Sequence, residues 1–76
     1  MEYELNLRRL LCPMPVIKTQ KFVKGLSVGD VVIIYATDRG SLHDIPAWAK
    51  MYHHQVLSAD VNANGDVTIK LVIGEK

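Results

Sequence analysis

VVIIYA, residues 31–36, is apolar on both faces and follows a turn bracketed by Gly25 and Gly29. A short apolar run with no wet side reads as a strand covered from above and below, so it is the centre of a sheet. Working back toward the N-terminus, Tyr3, Leu5 and Leu7 alternate with Glu2, Glu4 and Asn6, the period of a half-buried strand. Prolines at 13 and 15 cannot continue that strand. A helix follows from about Pro13 to Lys24, with Val16, Thr19, Val23 and Leu26 as its inner stripe and Phe22 beside them. Lys18, Lys21 and Lys24 lie outside that stripe.

Working forward, TDRGS is a loop, and a second helix runs to about His54 on a stripe of Leu42, Ile45, Ala49 and Tyr52. Trp48 and Met51 join Tyr52 as core or core-edge residues. Pro46 leaves two starts open: Asp44 caps the helix, or Ser41 caps a first turn that joins it with a distortion at the proline. Leu57, Ala59 and Val61 alternate with Ser58 and Asp60 as a third strand. The Asn-Gly of NANGD, 62–66, turns a hairpin into a fourth strand, 67–73. The order is βαβαββ. Right-handed helical crossovers make the first three strands parallel and put both helices on one face. The class is α+β: a two-layer α/β sandwich with a four-stranded mixed sheet. The fourth strand is more apolar than the third, which places it inside, in the order 1-2-4-3.

At 76 residues the chain has room for a single core, so residues 1–76 are expected to be one domain. Nine Lys+Arg against eight Asp+Glu give a net charge of +1, without the basic excess of a general nucleic-acid binder. No signal peptide is visible, and no apolar run approaches the roughly 20 residues of a membrane span. A single cysteine excludes an internal disulfide, and a reducing cytoplasm is the expected location.

That cysteine stands in LLCPMPVIK, residues 10–18. With Cys12 as N-cap, Pro13 is N1 and Pro15 is N3. The sulfur then has the Met14 amide, the Val16 amide and the positive end of the helix dipole to stabilise its thiolate. Helix N-termini and nearby cations lower a thiol pKa from about 8.5 to between roughly 3.5 and 7.5. Arg8, Arg9 and Lys18 are the cations at hand, screened by salt more than the dipole is. Parallel first and second strands bring the loop with Asp38, Arg39, Ser41 and Asp44 to the same sheet edge as Cys12. Spacing alone leaves a buried, inert cysteine equally open.

Cys12-Pro13-Met14-Pro15, the strand ending in Asp38, and Asp44-Ile45-Pro46 together resemble the TusA/SirA-type sulfur-carrier family over nearly the whole chain. The resemblance implies that Cys12 carries sulfane sulfur as a persulfide. It further implies a cysteine desulfurase or rhodanese-like donor, and an acceptor protein in tRNA thiolation, cofactor maturation or sulfur oxidation. The Cys12 thiolate attacks the terminal sulfur of the donor, and an acceptor thiolate then takes that sulfur; a low thiol pKa helps both steps. Pro13, Met14, Pro15, Asp38 and Asp44 would shape the site. Arg8, Arg9, Lys18 and Arg39 would meet partners. Three positions depart from the family pattern: glycine is common where Arg9 stands, an acidic residue is frequent at Asn6, and glutamate is frequent at Met14.

No cofactor and no metal are required. His53 and His54 are adjacent and diverge by about 100° on a helix, and His43 is ten residues away, so helix-end histidines account for them. The expected state is a monomer, off the membrane and without nucleic acid. Two alternatives share the fold: a non-catalytic RNA- or protein-binding module, and a thiol-based redox or selenium-handling regulator. The first lacks the exposed strand aromatics that RNA-binding sheets use.

Overall fold

The computed structural model describes residues 1–11 and 13–74. Its elements are β1 (Glu2–Leu7), α1 (Met14–Val23), β2 (Val31–Ala36), α2 (Ser41–Met51), β3 (Gln55–Val61) and β4 (Val67–Val72). The sheet order is β1-β2-β4-β3, as the apolar content of the fourth strand implies. β1 and β2 run parallel, and β4 runs antiparallel to both β2 and β3.

Alternation fixes which side of each strand faces the helices. Val32, Ile34 and Ala36 of β2 and Val67, Ile69 and Leu71 of β4 are fully buried. Leu7 and Ile73, with Val23 of α1 and Ile45, Trp48 and Ala49 of α2, complete the core between the sheet and the two helices. Val31, Ile33, Tyr35 and Val72 point the other way and stay half-buried, which is the two-sided burial expected of inner strands.

Three local features differ from the sequence-based expectation. In β3, a bulge between Val56 and Ser58 shifts the alternation, so Val56 and Ala59 face the core while Leu57 is 48% exposed and Val61 is also exposed. Strict period two fails there because an extra residue changes the parity of every side chain before it. The hairpin is not a two-residue Asn-Gly turn. Gly65 has φ 87°, its N–H donates to the Asn62 carbonyl at 3.0 Å, and the Asn62 side chain accepts from Asn64 and Asp66. Asn64 has no positive φ, so this is a longer loop closed by a left-handed glycine.

α2 is continuous from Ser41 with Pro46 inside it, and Gly40 is its N-cap without a side-chain hydrogen bond. Neither Asp44 nor Ser41 is therefore the cap. The helix ends at Met51 rather than His54. His53 N–H donates to Lys50 O at 3.3 Å and His54 N–H to Ala49 O at 2.8 Å, the paired bonds of a Schellman motif. His53 takes the left-handed position of that motif (φ 66°), where glycine is usual. The turn swings Tyr52 to 47% exposure and leaves Met51 exposed, while Trp48 is buried as expected. His54 is drawn inside, 5.1 Å from the Trp48 ring, and its Nδ1 accepts from Gly74 N–H at 3.0 Å.

Candidate functional site

Leu7 pairs with Ala36 at the last rung of β1 and β2. The segment leading to position 12 and the loop leading to α2 thus leave the sheet side by side, as parallel pairing requires. Arg9 N–H donates to Thr37 Oγ1 at 2.8 Å, joining the two exits. Arg9 has φ 71°, and Leu10 N–H reaches back to Leu7 O at 3.3 Å. A side-chain residue in that region costs about 1–2 kcal/mol, which explains physically why glycine suits this position.

The two arginines diverge. Arg8 lies on the open sheet face, its guanidinium 4.9 Å from the centre of the Tyr35 ring. Tyr35 OH donates to Glu4 Oε1 at 2.9 Å, and that bond, with burial and the Glu4 charge, raises the phenol above its ordinary pKa. Arg9 is exposed at the site edge.

α1 begins one residue later than its proline spacing suggests. Pro13 is the N-cap, with its carbonyl accepting from Ile17 N–H at 3.2 Å, and Met14 is N1, which puts Pro15 at N2. Both prolines still fall where an N–H would have no helical partner, so neither breaks a helix bond. Met14 N–H donates to Leu11 O at 2.9 Å and is therefore spent on the turn rather than held for an anion. Cys12, and with it the expected N-cap thiolate, lies outside the described residues. The residues around it form an apolar surface: Leu11 is 75% exposed, Met14 38%, and Ile17 is also exposed, whereas Pro15 is buried against the core. Lys18 is exposed on α1.

On the facing loop, half-buried Asp38 accepts from Gly40 N–H at 3.0 Å, and its carbonyl accepts from Ser41 N–H at 3.0 Å. Asp38 therefore caps the turn into α2. A Cβ on Gly40 would lie 3.4 Å from Asp38 Oδ1 and 3.7 Å from Asp44 Oδ2, so both carboxylates flank this glycine. Arg39 projects into solvent beside them. Thr37 is the residue sequence reasoning missed. The signal was available: it directly follows a strand whose partner delivers the cysteine, and it carries a hydroxyl.

Among the described residues no cluster of His, Cys, Asp or Glu could hold a metal. No helix among them is long and apolar enough to cross a membrane. A cavity of ≈ 160 Å³ lies at the C-terminal ends of the two helices, lined by Gln20, Val23, Lys24, Trp48, Tyr52 and His54. It is away from the edge where Arg9 meets Thr37.

The fold closely matches the crystal structure of a SirA-like protein from Desulfitobacterium hafniense, with a TM-score of 0.83 over 96% of this chain and 99% of that one, at 24% identity. The chain is 33% identical to the sulfur carrier protein TusA of Allochromatium vinosum over 58 residues, 76% of each protein. It is 44% identical to the YrkF protein of Bacillus subtilis over 63 residues, which is 83% of this chain but only 33% of that longer protein. The family model for sulfurtransferase TusA matches residues 3–73, and the chain belongs to that family.

Proposed function

We propose that residues 1–76 act as a single sulfur-carrier domain in the cytoplasm, with Cys12 as the atom-carrying residue. Family membership across residues 3–73, together with the one thiol of the chain standing in Cys-Pro-Met-Pro, carries this reading. The Cys12 thiolate attacks the outer sulfur of a donor persulfide. A new S–S bond forms on Cys12, the donor's S–S bond breaks, and the donor leaves as a thiolate. An acceptor thiolate then attacks the outer sulfur and releases Cys12 as thiolate, so no net oxidant is consumed. With no second cysteine, the chain cannot discharge its persulfide internally.

The surroundings suit a protein partner. Leu11, Met14 and Ile17 offer exposed apolar contact, and Arg9, Lys18 and Arg39 supply cations for an acidic rim. The expected donor is a cysteine desulfurase or rhodanese-like protein. Intact mass after incubation with a sulfane donor tests the proposal. The expected result is a gain of about one sulfur atom that dithiothreitol removes and that Cys12→Ser lacks. No adduct with several donors overturns it.

A further inference from the structure

The segment that delivers Cys12 departs from β1 through a strained residue. Arg9 has φ 71°, and the 3.3 Å bond from Leu10 N–H to Leu7 O is a long one for a tight turn. The firm partner of this strained residue is Thr37, whose Oγ1 accepts from Arg9 N–H at 2.8 Å. Thr37 is itself well anchored. It follows Ala36, which is fully buried in the central strand β2, and it precedes Asp38, whose side chain and carbonyl are both committed to the start of α2. Strain at a non-glycine residue needs compensation from its surroundings, and the short bond to Thr37 supplies it here. Beyond Arg9, the Met14 N–H to Leu11 O bond ties together the residues on either side of position 12. A change in the backbone at Arg9 is therefore passed along only two residues, Leu10 and Leu11, before it reaches the thiol-bearing position.

We propose that Thr37 is a positioning residue for sulfur transfer: its hydroxyl selects the left-handed conformer of Arg9 and so sets where the chain presents Cys12. The inference rests on the carrier reading above, and it assigns Thr37 a role exerted through the Arg9 backbone. It also makes a specific coupling prediction. Glycine adopts positive φ without a side-chain clash, so a glycine at position 9 removes the need for the Thr37 bond.

The test compares wild type, Thr37→Val, Thr37→Ser, Arg9→Gly, and the double variant Arg9→Gly/Thr37→Val. Two rates are measured on each across pH: sulfur acceptance from glutathione persulfide, and alkylation of Cys12 by iodoacetamide. Thr37→Val keeps the shape but removes the acceptor, and is expected to slow both reactions roughly 5- to 10-fold, the usual worth of one hydrogen bond. Thr37→Ser should stay within about twofold of wild type, and in the Arg9→Gly background, whatever the loss of the Arg9 charge does by itself, adding Thr37→Val should change either rate by less than about twofold. Exchange of the Arg9 amide, read by NMR, should speed up in Thr37→Val and not in Thr37→Ser. Unchanged rates in Thr37→Val, equal losses in the Ser and Val variants, or a Thr37→Val loss that is as large in the Arg9→Gly background as in wild type would each overturn the proposal. If wild type takes up no sulfur, the carrier reading fails, while the alkylation and exchange data still decide the role of Thr37.

Discussion

Gly74→Ala should be among the most damaging single-methyl additions to this fold. A Cβ at position 74 would overlap the His53 carbonyl oxygen and crowd the backbone on to His54. Those atoms cannot retreat freely, because the His53 and His54 amides are both bound back into α2 and the His54 ring is wedged against Trp48. Forced overpacking of this kind costs about 1–3 kcal/mol. Moving Gly74 away also breaks the bond from its N–H to His54 Nδ1, leaving a buried acceptor unpaired at a further cost of about 1–3 kcal/mol. The two effects share atoms and do not simply add, so a loss of roughly 2–4 kcal/mol is expected. Against a total stability of about 4–11 kcal/mol for a domain this size, that is a large fraction. Urea unfolding followed by the emission of Trp48, the sole tryptophan, measures it directly. With a slope of about 1 kcal/mol/M, the midpoint should fall by roughly 2–4 M. A midpoint within about 0.5 M of wild type would refute the reasoning, by showing that the end of the chain detaches from His54 at no cost.

Thr19→Val should stabilise the protein by about 0.5–1.5 kcal/mol, since Thr19 Oγ1 is fully buried with no hydrogen-bond partner among the described residues and valine has the same shape; calorimetry on the pair checks it. Pro46→Ala should also stabilise, by about 1–2 kcal/mol, because it gives the Leu42 carbonyl a donor and relieves an interior proline, less the entropy returned to the unfolded chain; an unchanged urea midpoint would contradict that. Tyr35→Phe tests the Glu4 bond through pH. The native phenol holds its proton above the ordinary value of 10.0, so its contribution is complete below that pH and is lost as pH rises through the folded value. The decline in thermal stability above pH 10.0 should be shallower in the phenylalanine variant, which keeps the ring under Arg8.

The architecture was legible because burial wrote itself into periodicity. VVIIYA and VTIKLV announce inner strands, and Glu2, Glu4 and Asn6 announce an open face. The expectation failed where one residue changes phase. The bulge at Leu57 keeps the strand but reassigns its faces, and no side-chain pattern distinguishes that from a regular strand with one exposed leucine. The end of α2 was misplaced because His53 stands where a glycine would have signalled a stop. At the candidate site, the sequence pointed to Cys12, the two prolines and the acidic loop, and parallel pairing places the segment leading to position 12 beside that loop. It could not supply the one-residue offset of α1, since proline fits equally well at N-cap, N1 and N2, nor the use of the Met14 amide within a turn. Thr37 could be found only through its place, directly after the strand that pairs with β1, because its bond is to a backbone amide and so leaves no mark on the residue types around it.

Among the described residues two non-glycine residues have positive φ, and they show how differently the ends of this fold are held. His53 is compensated by two helix-terminating bonds, and it delivers His54 into a buried contact with Trp48 and Gly74. Several interactions must break together to release it, so that end opens only with the core. Arg9 is exposed, its turn bond is long, and its short bond is to a hydroxyl at the rim. The segment leading to Cys12 is therefore held by far less than the segment at the opposite edge. The base is thus held by the core, while the segment leading to position 12 depends on one short hydrogen bond at the rim, the bond through which Thr37 is proposed to act. Arg9 amide exchange should accordingly be much faster than that of His54, and comparable protection at the two sites would remove this account of the strain.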